Sequence, residues 1–323
     1  MPLTLDGTTG ISGIATITAT GSINVGNSFI KSTSIGIGTI NTSGRNAGVS
    51  TAQGTLIFNT DTGSVQVYNG TSWRDVGKEA MNATGGYVNE YTDSTTGRIY
   101  RAHIFTNSGF FTVQSAPPSA TVDYLVVAGG GSGGKTDAGG GGAGGFLIGT
   151  GLPVSSSPGS YTVTVGAGAA AQVGGSVWLR GNGGNPSIFS TITSQGGGGG
   201  GSGSGATSNN EYGGNGGSGG GAGSTRGAPY IGLGSRVTQT SPTDVTNTPA
   251  PSQGNNGGAG ASPTGGGGGG GAGGVGSNNP GSAGAPGGPG TLSSITGIST
   301  AYAGGGGGGH SPGGPGAGGL GGG

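Results

Sequence analysis

The residues able to do chemistry in this chain are few, and their spacing narrows what they can do. Gly129-Gly130-Gly131-Ser132-Gly133-Gly134-Lys135-Thr136 fits the G-x-x-x-x-G-K-[ST] pattern of a phosphate-cradling loop, and it follows an apolar stretch. Such a loop needs a helix after the lysine, because the first helical amides bind the phosphate. Asp137-Ala138-Gly139-Gly140-Gly141-Gly142 follows instead, and so much glycine excludes a stable helix. Nucleotide binding is therefore not expected. His103 stands in Arg101-Ala102-His103-Ile104, read as a half-exposed strand position, and His310 in a glycine tail with no carboxylate near it. Beyond residue 128 the acids are Asp137, Glu211 and Asp244, too sparse for paired acid–base work. Cysteine is absent, which excludes disulfides, thiolate zinc sites and cysteine nucleophiles. No catalytic residue, cofactor or metal is expected, and the chain is read as a non-enzyme.

Tyr212, Arg226, Tyr230 and Arg236 are of another kind. They lie in loops flanked by glycine. Tyrosine and arginine are favoured at binding hot spots, and aromatic faces suit sugar rings. Two readings stand for them: they contact a receptor, or they cap the ends of the glycine-rich structure.

The elements that must position these residues follow from glycine. Of 91 glycines in 323 residues, residues 1–128 hold 17 and residues 129–323 hold 74, so the chain has a β-like front and a glycine-dominated rear. Only 29% of residues are hydrophobic, leaving little for a conventional core in the second half. Charged residues are 6% and the formal net charge is zero, so there is no basic footprint for nucleic acid or anionic lipid. The first residues, MPLTLDGTTGISGI, have neither a basic nor an apolar leader region, and no apolar run is long enough to span a bilayer. The chain is expected to be assembled in a cytoplasm without an export signal.

Residues 1–50 alternate Thr, Ser, Ile and Gly without a long helical period and read as an extended arm or a set of short strands. Residues 51–128 read as a small β module. Within it, residues 55–59, 64–68 and a strand begun by Trp73 form a meander, with turns at Asp61-Thr62-Gly63 and Asn69-Gly70. Further strands are expected at 87–91, 99–106, 110–113 and 122–128, and within the last Tyr124-Leu125-Val126-Val127-Ala128 is uninterrupted and apolar and so expected to be buried on both faces. In residues 129–323, glycine runs (129–145, 196–205, 213–223, 254–276 and 304–323) alternate with β-like interruptions at 160–165, 176–179, 187–193 and 290–303.

Glycine loses more backbone entropy on folding than any other residue, so these runs order only if their peptide groups bond to neighbours. Polyproline II angles give three residues per turn, about 3.1 Å rise and no internal hydrogen bonds. Glycine helices of this kind can pack side by side and bond one another throughout, the polyglycine II arrangement. A 17-residue run would span roughly 50 Å at that rise. Alanine and serine are expected at outward sites, and larger residues at edges or tips. Collagen is excluded, because consecutive glycines at 265–271 and 304–309 break the Gly-X-Y period.

The opening Leu3-Thr4-Leu5-Asp6-Gly7-Thr8-Thr9-Gly10-Ile11-Ser12-Gly13 resembles the N-termini of fibre-like structural proteins of tailed phages, especially phages of marine cyanobacteria. Residues 54–60 with Val67-Tyr68-Asn69-Gly70-Thr71-Ser72-Trp73 are similar to a hairpin module of phage tail and fibre proteins. Tyr124-Leu125-Val126-Val127-Ala128-Gly129-Gly130-Gly131, followed by Tyr161-Thr162-Val163-Thr164-Val165-Gly166-Ala167-Gly168, resembles a glycine-rich domain of phage adhesins. In tip adhesins of some T-even-like phages, glycine stretches form a polyglycine II sandwich and the segments between them contact the host receptor. By position that role falls here on 206–212 and 224–253. The β-rich front departs from those adhesins, which use a different attachment domain.

The resemblance implies a virion appendage protein, a tail-fibre or receptor-binding component and a homo-oligomer, with a trimer favoured. Its arm would join other virion proteins and its head would meet a glycan or outer-membrane protein, without nucleic acid. The expected fold is all-β and irregular, with little or no α-helix: an arm at 1–50, a β module at 51–128 and a polyglycine II-type sandwich at 129–323. The alternatives are a capsid or collar decoration fibre without a dedicated receptor, and a glycan depolymerase.

Overall fold

The structure is a computed structural model. It describes residues 23–25, 28–31, 34–48, 52–77, 81–94, 97–173, 178–203, 210–224, 253–261, 263 and 265–322. The fold is all-β and irregular. The chain divides into two compact units, residues 1–79 and 80–323. The boundary expected at 128/129 lies inside the second unit, where a strand runs directly into the first glycine run.

In the first unit, β1 (Ile23–Val25), β2 (Ser28–Lys31) and β3 (Ser34–Gly36) form an antiparallel meander. A second sheet contains β4 (Thr39–Ile40), β5 (Leu56–Asn59), β6 (Ser64–Tyr68) and β7 (Trp73–Asp75) in that order. Its last three strands are the meander expected from sequence. Gly63 at φ 63° and Gly70 at φ 99° occupy the two turns, where a side chain would strain the backbone. Tyr68 and Trp73 pair across β6 and β7 with ring centroids 5.4 Å apart.

One element differs from expectation: Thr42–Gly48 is a short helix, α1. Asn41 starts it locally, accepting the Gly44 N–H at 2.7 Å through its side-chain oxygen. No hydrophobic period is needed for a helix this short. The buried centre of the sheet is polar. Asn59 Nδ2 donates to Gln66 Oε1 at 3.0 Å, Gln66 Nε2 to Asp75 Oδ1 at 2.8 Å, and Arg45 reaches Gln66 Oε1 at 2.7 Å.

The second unit begins with strands. β8 (Asn82–Thr84), β11 (Gly109–Ser115), β14 (Ser160–Thr164), β15 (Ser187–Phe189) and β16 (Ile192–Ser194) make a five-stranded sheet in the order β16-β15-β14-β11-β8. β9 (Tyr87–Thr92) pairs with β10 (Ile99–Ile104), β12 (Thr121–Val127) with β13 (Phe146–Pro153), and β17 (Thr291–Ser293) with β18 (Thr300–Tyr302). Ala83, Phe111, Val113, Ala120, Val154 and Val163 form the core, and Phe111 meets Phe189 edge-on at 6.0 Å. β12 is not buried on both faces as its composition suggested. Only Val126 is buried in it, because β12 and β13 form a two-stranded ribbon and β12 packs against β15 and β16 of the larger sheet without being enclosed by it.

The described glycine runs between and after these strands form a hydrogen-bonded lattice. Each bonding partnership between two runs recurs every third residue, as polyproline II geometry requires. Ala128, Gly131 and Gly134 N–H donate to Gly145, Gly142 and Gly139 carbonyls of the next run. Gly129, Ser132 and Lys135 N–H turn to a second run, at Asn185, Asn182 and Leu179. Run 265–272 is enclosed. It donates to runs 217–224, 274–279 and 303–310 and accepts from runs 138–145, 253–261 and 283–290.

The runs stack in layers, with 314–320 bonded beyond 283–290 and 303–310, and 210–214 beyond 217–224 and 196–203. The middle layer holds 274–279, 265–272, 138–145, 128–134 and the run from Gly166, between 253–261, 217–224, 196–203 and 178–185 on one side and 283–290 and 303–310 on the other. This is the polyglycine II-type sandwich.

Three expectations are corrected. The stretch 129–145 is not one 50 Å rod; it reverses at Lys135-Thr136-Asp137 into two runs of roughly 20–25 Å at 3.1 Å per residue. Thr136 and Asp137 sit at φ 58° and 45°, a left-handed turn that lets the second run bond back on the first. Next, alanine and serine are not confined to outward sites: Ala222, Ala285, Ser202 and Ser218 are 0% exposed. A glycine opposite supplies the room, since a β-carbon on Gly254 would lie 2.0 Å from Ser218 Oγ. Finally, Leu179 lies in a lattice run, accepting Lys135 N–H at 3.0 Å, and not in a strand. Interruptions 187–193 and 290–303 are hairpins, as expected.

Candidate functional site

The register of the bonding, antiparallel between some runs and parallel between others, sorts the connections to the two ends of the lattice. At one end the runs pass into strands: Ala128 follows β12, Gly145 precedes β13, Gly196 follows β16, and Gly290 precedes β17. At the other end the runs reverse through turns at 135–137, 280–283 and 311–313, and Ser224, the last described residue of run 217–224, lies there. The far-end turns carry Lys135, Thr136, Asp137 and His310.

One corner gathers the most chemistry. Lys135 N–H donates to Leu179 O at 3.0 Å, and Asn210 Nδ2 to Trp178 O at 3.2 Å. Ser202 N–H donates to Asn210 O at 2.7 Å, Gly223 N–H to Glu211 O at 3.0 Å, and Ser224 N–H to Asp137 O at 3.0 Å. These bonds bring Lys135, Asp137, Trp178, Arg180, Glu211 and Tyr212 to the ends of adjoining runs. Trp178, Glu211 and Tyr212 are half-buried, and Thr136 and Arg180 are exposed. The left-handed conformation of a non-glycine residue costs roughly 1–2 kcal/mol. In a chain with glycine at 91 positions, the turn nevertheless carries Thr136 and Asp137. Together the corner offers two cations, two carboxylates and two aromatic rings, a mixture suited to a polar, hydroxyl-rich ligand.

Of the residues singled out from sequence, Tyr212 is at this corner. Arg226, Tyr230 and Arg236 lie outside the described residues, as do 204–209 and 225–252. Sequence reasoning missed Trp178, Arg180 and the 135–137 turn as members of one corner. The available signal was the break in glycine composition at Lys135-Thr136-Asp137, which looked like the tail of a phosphate loop. No helix follows Lys135, and the glycines before and after it are bound into the lattice.

The histidines are structural. His103 meets Phe111 edge-on at 5.1 Å, with Nδ1 2.8 Å from Gly85 O. His310 Nδ1 accepts Gly313 N–H at 2.9 Å and so closes the 311–313 turn. Among the described residues no three His, Cys, Asp or Glu side chains come together as metal ligands. Tyr91 has its pKa raised mainly by burial, with Tyr100, Asp93 and Asp123 adding to it. Its hydroxyl donates to Ile295 O at 3.1 Å, tying β9 to the loop between β17 and β18.

A family model described as a glycine-rich domain matches residues 106–323, well over half of the chain. No curated protein and no solved structure shows significant similarity to it. The match begins ahead of β11 and takes in most of the sheet together with the lattice runs, all within the compact unit 80–323. The chain belongs to the glycine-rich domain family.

Proposed function

We propose that this protein is a structural component of a phage virion, a tail-fibre or receptor-binding adhesin acting as a homo-oligomer, with a trimer favoured. The arm at residues 1–50 joins other virion proteins. The lattice is a stiff head that presents its far-end turns to a glycan or outer-membrane protein on the host. One observation carries this reading: the far-end corner gathers Lys135, Asp137, Trp178, Arg180, Glu211 and Tyr212 on adjoining runs, and Thr136 and Asp137 are kept there in left-handed geometry that glycine would adopt without strain. Loops held by a rigid scaffold are a common site of recognition. The motifs resembling phage fibre and adhesin modules support the same reading.

The test is adsorption. Exchanging residues 224–253 for those of a related phage should change host range, and substituting Tyr212 and Trp178 with alanine should lower adsorption with the lattice intact. Unchanged adsorption in all of these variants would sink the attachment role. Labelling the N-terminus in intact particles locates the arm on tail or head.

A further inference from the structure

From Val245 to the last residue the sequence contains no Asp, Glu, Lys or Arg. That stretch builds one flank of the lattice, formed by runs 274–279, 283–290 and 314–320. In run 283–290, Gly284, Gly287 and Gly290 N–H donate to run 314–320, and Ala285 and Gly288 N–H donate to run 265–272. The remaining third of its positions faces outward, and Pro286 and Pro289 occupy it, both exposed. In run 314–320, Gly316 and Gly319 N–H donate inward to run 303–310, and Pro315 is exposed. Proline has no N–H to offer. The flank is therefore closed to another glycine helix, much as proline blunts the edge strand of a sheet. Val275 O lies against Gly288 and Leu320 O accepts the Gly290 N–H, so both residues neighbour Pro289 along the flank, and Leu292 follows Gly290 by two residues. Val275, Leu320 and Leu292 are 61%, 71% and 64% exposed.

We infer that this flank is the surface through which copies of the chain associate. The occupant is a second copy because the flank carries no charge of either sign. Two such faces meet without like-charge repulsion and without stranding an ion, whereas a charged partner would bury unpaired groups. Contacts between protein partners are likewise depleted of charge at their centre. The prolines make association side chain on side chain. Copies bury the rings with Val275, Leu292 and Leu320, and the hydrogen-bonded lattice does not propagate from one copy to the next. The inference rests on the oligomeric part of the proposed function and is independent of the attachment role.

The full-length chain should sediment as a multimer, and Val275→Asp with Leu320→Asp should reduce it to the mass of one chain. Amide exchange in run 265–272 should stay slow in that variant. Because the chain has no cysteine, Leu320→Cys gives a second readout that leaves the fold undisturbed. Its thiol should react with maleimide slowly in the multimer and faster on dilution, while Thr136→Cys reacts fast throughout. A wild-type chain that is single at all concentrations overturns the inference, as does a multimer that survives the double substitution. Equal reactivity of the two thiols does the same. Dissociation by Ile99→Asp alone, on the exposed β9–β10 ribbon, would place the contact elsewhere. Adsorption measured on the far-end variants is unaffected by these outcomes, so the two readings fail separately.

Discussion

The sheet around Phe111 and the lattice around Gly268 belong to one compact unit, yet they are held together by opposite means. In the sheet, side chains fill the interior: Phe111 is 5% exposed and packs with Val113, Val163 and the Phe189 ring. In the lattice the interior is peptide groups. Gly268 donates its N–H to Ser277 O at 2.9 Å and accepts Gly258 N–H at 2.7 Å, and a β-carbon there would lie 1.9 Å from Pro286 O. Burying apolar area stabilises the first region, at about 25 cal/mol per Å². Mutual bonding stabilises the second, at about 1 kcal/mol per net bond against the large entropy glycine loses. The lesson is an inverted rule of substitution: removing atoms harms the sheet, and adding atoms harms the lattice.

That inversion can be broken most directly at Gly268. Gly268→Val forces apart runs bonded on every side and should cost more than about 4 kcal/mol, in the exceptional tail of single substitutions. Thermal unfolding that shifts by only a few degrees would refute the lattice. Phe111→Ala comes next, with a loss of about 3–5 kcal/mol as for a buried aromatic in any core; chemical denaturation measures it. Gly133→Ala should lie within about 0.5 kcal/mol of wild type, because its β-carbon meets nothing nearer than Gly139 O at 3.7 Å. A Gly133→Ala loss comparable to that of Gly268→Val would mean that glycine is required everywhere and the three-residue phase decides nothing.

The smallest effect concerns pH. Tyr91 has a folded pKa above the ordinary phenol value, because burial first and then its neighbours disfavour the anion. The folded state holds this proton more tightly than the unfolded chain. Its contribution is therefore complete below the ordinary phenol pKa and lost as pH rises through the folded value. Tyr91→Phe should lose the hydrogen bond to Ile295 O and flatten the stability profile at that alkaline limb, read by denaturation across pH.

Much of this architecture could be read in advance. Alternation in Ser64-Val65-Gln66-Val67-Tyr68 and the Asn69-Gly70 turn specify a hairpin by local rules, and the structure has it. The runs of consecutive glycine leave only an intermolecular or inter-run lattice as an ordered state. What escaped reading was long-range. The helix Thr42–Gly48 depends on an asparagine cap and carries no periodic signal. The burial of Ala222 and Ser218 depends on which glycine faces them. The corner joining Lys135, Trp178 and Tyr212 draws on positions far apart in the chain, matched only by the phase of the bonds between runs.

By itself, then, the sequence determined the material: strands in front, threefold glycine helices behind, and uncharged proline-bearing runs towards the end. Local conformational preference suffices for that, because glycine, proline and alternating β-branched residues each restrict the backbone where they stand. Only the tertiary structure decided where runs reverse, which run is enclosed and which residues meet at the far-end corner. Each glycine helix is nearly identical to every other, so its neighbours are chosen by turns and register across the whole lattice, and no single stretch of chain encodes that choice.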